Sequence, residues 1–189
     1  MSAATADTLA RLAQELTAEG GLLAAALRPH GPLFSAADPE LGRLTAAGPR
    51  AAAAPERYAL VIEAVREAHL LHAGTARVLD AEDRDLAILA GDRLYALGLA
   101  LLAELGDLPA VRELADLIAL CALAGATRDH ELADAAWLAG ASAVGYGTTP
   151  QLEAAKISAR AGDSAAPGLL IEAATAARAT ASETPRATT

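Results

Sequence analysis

The stretch LAILAGDRLYALGLALLAEL, residues 86–105, decides the fold class. Wound at about 3.6 residues per turn, its Leu86, Ile88, Leu89, Leu94, Tyr95, Leu97, Leu99, Leu101 and Leu102 cover nearly the whole circumference of a helix. A helix with no polar face is expected to be the most buried element of its domain or to lie in an interface. Asp83 or Asp85 is placed to cap its first turn.

Helical signals continue on both sides. Upstream, a helix starting near Pro55 carries Tyr58, Val61, Ile62, Val65, His69, His72, Ala76 and Leu79 in steps of three and four. Downstream, Gly106-Asp107-Leu108-Pro109 is a stop followed by a new cap. The helix it launches runs through Val111, Leu114, Leu117, Ile118 and Cys121, and Gly125 closes it. Further helices are expected over residues 127–144, from Thr149-Pro150 onward and around Leu169 to Arg178. At the N-terminus Asp7 caps a helix with Leu9, Leu12, Leu16, Leu23 and Leu27 on one side, bent at Gly20-Gly21 and stopped by Pro29 and Pro32.

Residues 28–55 hold Pro29, Pro32, Pro39, Pro49 and Pro55 and read as a connector with at most one helical turn. Residues 179–189 lack core side chains and read as a disordered tail. No fixed-period repeat is present, which disfavours a solenoid. The expected architecture is all-α: one domain over residues 1–178, a bundle of six or seven helices.

Composition agrees, because the chain is 53% hydrophobic yet only 3% aromatic, with Ala and Leu dominant, an alphabet of helix formers. The net charge of −9 and the lack of any Lys/Arg cluster argue against a nucleic-acid surface. Asp92, Arg93 and Glu104 interrupt the one membrane-length apolar run, so no transmembrane segment is expected. Cys121 has no second cysteine to pair with, and residues 1–7 have no secretory pattern, so a cytoplasmic location is expected.

Few residues point to chemistry. His69 and His72 stand one turn apart, which suits metal ligation only if another helix supplies a third ligand. They read instead as inward or interface histidines. Asp92 sits inside the most apolar helix, where a carboxylate needs a partner, and His69 or His72 could provide one. His69, His72 and Asp92 are therefore expected to form a buried polar cluster. Asp80, Glu82, Asp83 and Asp85 read as a helix cap, with Mg²⁺ held through paired carboxylates as the alternative. No nucleophile elbow, P-loop or dinucleotide fingerprint is present.

Residues 63–106, EAVREAHLLHAGTARVLDAEDRDLAILAGDRLYALGLALLAELG, resemble the central helices of trans-polyprenyl diphosphate synthases. In that family a helix bearing Glu and His runs into an Asp-rich motif, and the next opens with a signature similar to Ala87-Ile88-Leu89-Ala90-Gly91-Asp92-Arg93-Leu94. The resemblance implies a truncated isoprenoid-synthase-like fold. It also shows departures. The first Asp-rich motif becomes Leu79-Asp80-Ala81-Glu82-Asp83, a degenerate form that keeps Asp80 and Asp83. Gly48-Pro49-Arg50 stands where a Gly-Lys-Arg clamp would, and no second Asp-rich motif follows Asp107.

Ionising an allylic diphosphate requires metal and cationic charge on the leaving group. The resemblance therefore implies a non-catalytic accessory subunit, similar to the small subunit (component 1) of two-component heptaprenyl diphosphate synthase. Such a chain helps a catalytic synthase subunit form its elongation tunnel and set product length in menaquinone side-chain synthesis. No catalytic residue or cofactor is expected in this chain, and Mg²⁺ is expected in the partner. Leu94, Leu97 and Leu101 are the expected interface, with a homodimer as a state of the chain alone. The alternatives are a residually active prenyl-transfer or terpene-type enzyme using Asp80 and Asp83, and a freestanding helical scaffold or apolar-ligand binder.

Overall fold

A computed structural model of the chain describes residues 3–33, 39–80 and 82–183. Among them the chain forms nine α-helices and no strand: α1 (Ala3–Glu19), α2 (Gly21–Ala25), α3 (Leu41–Ala46), α4 (Pro55–Ala73), α5 (Arg84–Leu105), α6 (Leu108–Thr127), α7 (His130–Tyr146), α8 (Pro150–Arg160) and α9 (Ala166–Glu183). The all-α class is as expected. The helices beyond seven are the two short ones: Gly20 separates α2 from α1, and α3 forms inside the expected connector.

That connector is more ordered than its prolines suggest. A 3-10 turn spans Pro49–Ala51, Leu41 and Ala51 are buried, and the Arg28 and Leu33 amides donate to the Val78 and Arg77 carbonyls. The last helix also outruns its expected end. It continues to Glu183, so residues 179–183 are helical, while the rest of the expected tail lies outside the described residues. Asp7 falls within α1 rather than before it.

Contacts gather the chain into two compact units, one of Met1–Arg43 with Glu56–Gly106, the other of Leu44–Pro55 with Asp107–Thr189. In the first, Leu9, Leu12 and Leu16 of α1 meet Leu60, Ala64, Ala68 and Leu71 of α4 and Ala87, Ala90 and Leu94 of α5, with Val78 and Leu79 closing the cluster. Of the two long helices in this unit's core, α4 is more buried than α5. Every residue from Tyr58 to Ala68 is buried, charged Glu63, Arg66 and Glu67 included. α4 ends at Ala73, so Ala76 and Leu79 are not on its stripe; an isolated antiparallel bridge pairs Leu79 with Leu27 instead.

One side of α5 is buried, through Ala87, Ala90, Gly91, Leu94, Gly98 and Leu102. Its opposite side leaves Ile88, Leu89 and Leu99 exposed. By length and a mean hydropathy of 1.7, α5 is the one helix among the described residues apolar enough to cross a membrane. Because one side belongs to a core and the other carries Asp92, it makes no clear membrane span.

In the second unit α7 packs against both α6 and α9, and α9 also covers α8. Side-chain caps start three of these helices: Asp107 accepts from the Ala110 amide, Asp129 from Leu132 and Thr149 from Leu152. Small residues set the spacing. Ala135, Ala136, Ala139, Gly140, Ala141 and Ala143 are buried along α7, and a Cβ on Gly140 would come within 2.9 Å of the Leu117 side chain. At the end of α7 two backbones touch: a Cβ on Gly48 would lie 2.1 Å from the Gly145 carbonyl oxygen, and one on Gly145 would lie 2.5 Å from that of Thr45.

The Gly145→Ala substitution is expected to destabilise the chain by about 1–3 kcal/mol through overpacking against backbone. Gly125→Ala, a helical position with nothing within 4 Å of the new methyl, should instead gain about 0.5–1 kcal/mol. Urea unfolding of both variants checks the pair, and equal effects would refute the close approach.

Candidate functional site

Four groups of polar residues and one exposed apolar row are available for function, and the deepest group belongs to α4. Glu63 and Glu67 lie one turn apart and have no exposed side-chain surface. Arg77 reaches both, with Nη2 2.9 Å from Glu63 Oε2 and Nε 3.2 Å from Glu67 Oε2. The remaining oxygens accept backbone donors. Glu67 Oε1 takes the amides of Arg77 at 2.8 Å and Val78 at 2.6 Å, and Glu63 Oε1 takes the Gly42 amide at 3.0 Å. Buried carboxylates satisfied this completely form a brace that folds the segment after α4 back onto it. This is the buried polar cluster of the first unit, and its signal was two glutamates at i,i+4 within a strongly apolar stripe.

The expected cluster of His69, His72 and Asp92 is not buried. The Asp92 side chain is 66% exposed and that of His72 35%, because Asp92 lies on the side of α5 turned away from the core. The pairing itself is present: His72 Nε2 is 3.5 Å from Asp92 Oδ1 and 3.3 Å from the Ile88 carbonyl. Gly91 makes room for it, since a Cβ there would come within 2.4 Å of the imidazole. Tyr95 meets the ring edge-on at a centroid separation of 5.6 Å. His69 is half-buried, and burial, followed by the charges of His72 and Arg66, holds its imidazole below the ordinary value.

The acidic residues before α5 are engaged locally. Asp83 is the N-cap, accepting from the Asp85 amide at 2.8 Å and the Leu86 amide at 3.4 Å. Asp80 pairs with Arg28 at 3.3 Å. One oxygen of Asp83 is thus turned onto a helix terminus and one oxygen of Asp80 onto a guanidinium. Arg50 is occupied as well. Its Nη2 donates to both oxygens of Asp107, the N-cap of α6, at 2.7 and 2.9 Å.

Sequence reasoning missed the fourth group, in the second unit. Glu113 and Asp116 on α6 and Glu153 on α8 bring their oxygens within 4.8 Å of one another. Lys156 fills the space between them, its Nζ 2.6 Å from Glu113, 3.0 Å from Asp116 and 2.8 Å from Glu153, with the side chain only 3% exposed. Arg160 adds a second cation to Asp116. Burial alone would lower the Lys156 pKa, but hydrogen bonds to Glu113, Glu153 and Asp116 outweigh it and the net shift is upward. Hydrogen bonds from Lys156 and Thr148 lower that of Glu153. The ammonium stands where a metal ion would, so the group is an internal ion pair. The two i,i+3 pairs that build it, Glu113 with Asp116 and Glu153 with Lys156, read in sequence as separate exposed charges. On α6, burial and the charge of Asp134 push the Cys121 thiol up to about 12, which disfavours the reactive thiolate.

The leucines expected at an interface divide differently. Leu94 is fully buried in the core and cannot reach a partner, while Leu97 and Leu101 are half-buried against the same core. The exposed apolar residues of α5 are Ile88, Leu89 and Leu99, with Leu89 64% exposed. No family profile, curated protein or solved structure matches the chain.

Two outcomes follow. Arg77→Met leaves two buried carboxylates without their cation and is expected to lower stability by about 3–5 kcal/mol; a loss below about 1 kcal/mol in urea unfolding would mean that water reaches the brace. The His69 effect has a definite sign, because the folded chain binds this proton less tightly than the unfolded one. The stabilisation from the neutral ring is complete above the ordinary value of 6.5 and is lost as the pH falls from there through the lowered pKa. His69→Gln should flatten the decline of the urea midpoint below pH 6.5 relative to the parent chain; parallel profiles would refute the assignment.

Proposed function

We propose that this chain is a non-catalytic accessory subunit of a polyprenyl diphosphate synthase, docking on the catalytic subunit through α5 and helping to set product length. The observation that carries the reading is the exposed apolar side of α5, where Ile88, Leu89 and Leu99 face solvent along a helix whose other side is already packed. Contiguous apolar surface of this kind marks association sites more often than free surface.

The choice of partner rests on the resemblance of residues 63–106. The local engagement of Asp80, Asp83 and Arg50 is consistent with it, because these are the residues a catalytic subunit would turn toward metal and diphosphate. On this reading the metal and the chemistry belong to the partner, and α5 contributes surface rather than reacting groups.

The test pairs this chain with a catalytic synthase subunit from the same genome that carries two intact Asp-rich motifs. Alone and with Mg²⁺, this chain should form no product from farnesyl and isopentenyl diphosphates. Added to the catalytic chain, it should raise turnover or shift product length, and Leu89→Glu with Leu99→Glu should remove the effect while the helical circular-dichroism signal persists. Product from this chain alone, abolished by Asp80→Ala with Asp83→Ala, would replace the proposal with a residual prenyl-transfer activity.

A further inference from the structure

The exposed side of α5 is not uniformly apolar, and its charges say what can cover it. At about 3.6 residues per turn, Asp85, Ile88, Leu89, Asp92, Ala96, Leu99, Ala100 and Ala103 fall on one side of the helix, and all of them are exposed. The row is apolar except for two carboxylates seven residues apart, one heptad. No cation shares it. Arg84 lies beside the row by the same period, and Arg93 is turned to Glu19, with Nε 2.6 Å from its carboxylate. His72 approaches Asp92 from α4 at 3.5 Å, leaving that carboxylate two-thirds exposed.

A second copy of α5 laid on this row would bring Asp85 and Asp92 against leucine, alanine or each other, burying Asp85 without a partner and Asp92 with only His72 beside it. From this charge pattern we infer that the occupant is a helix of another protein, one presenting small and branched apolar residues together with two Lys or Arg side chains one heptad apart, opposite Asp85 and Asp92. Ala96, Ala100 and Ala103 let that helix approach closely, Leu89 and Leu99 supply the apolar contact, and the two carboxylates fix its register and reject an acidic or self-derived partner. The inference rests on the docking role given to α5 above and adds the chemistry of the partner.

The probe is a labelled amphipathic peptide as long as α5, leucine and alanine along one side and two lysines a heptad apart, compared by fluorescence anisotropy with versions carrying glutamate or glutamine at those two positions. The full chain should bind the lysine peptide roughly tenfold more tightly than the glutamate one. Added salt should narrow the gap, and Asp85→Asn with Asp92→Asn should close it without abolishing binding. Leu89→Glu with Leu99→Glu should abolish binding of all three. Equal affinity for the lysine and glutamate peptides, no binding of either, or self-association of the unmixed chain through Leu89 and Leu99 overturns the inference. Charge-selective peptide binding with no effect on any synthase would remove the synthase reading and keep the cationic partner.

Discussion

The first unit depends on two carboxylates and one guanidinium sealed inside it. Taking Glu63, Glu67 and Arg77 out of water carries a desolvation penalty of several kcal/mol per ion, offset only if each carboxylate oxygen finds a donor. Here each does, and most of those donors are backbone amides of residues 77–79 together with Gly42. The brace therefore dictates conformation as well as satisfying charge. Gly74, at positive φ with the Thr75 amide donating to the Leu70 carbonyl, ends α4; the brace then holds Val78 and Leu79 at the core and residues 77–80 beside residues 26–33, where the Leu27–Leu79 bridge forms. Both glutamates lie on one face of α4, and the helix is buried on every side from Tyr58 to Ala68, whereas α5 keeps an exposed side.

The second unit reaches a similar end by another route. Its helices are rich in alanine and glycine, so they pack close and gain little per side chain, and large side chains such as Trp137, Leu114 and Leu152 fill what remains. Lys156 ties α8 to α6 through Glu113 and Asp116. In both units a buried cation is held by carboxylates.

The same economy bears on function. Asp83 caps α5, Asp107 caps α6 and holds Arg50, and Asp80 holds Arg28. Groups with chemical potential are engaged in starting helices and fixing loops, which accords with the accessory role proposed above. What stays exposed is a row on α5, apolar but for Asp85 and the His72-paired Asp92.

Periodicity, proline and glycine placement and capping residues were enough to read the all-α class and the seven long helices from the sequence, because these signals act within a few residues of one another. Asp83, Asp107 and Thr149 cap where their positions before apolar runs said they would. Which helix becomes the centre was not legible, since an all-round apolar pattern is equally compatible with burial and with an uncovered side. α5, the more apolar of the two, was the natural choice; α4 took the place because its glutamates meet an arginine ten and more residues away. The His72–Asp92 pair was legible as a pairing but not as an exposed one, and the Lys156 cluster was not legible at all. Local sequence determined where helices start and stop; the pairing of charges from distant segments, which only the tertiary structure brings within hydrogen-bond range, decided which charged residues are buried and which stay exposed.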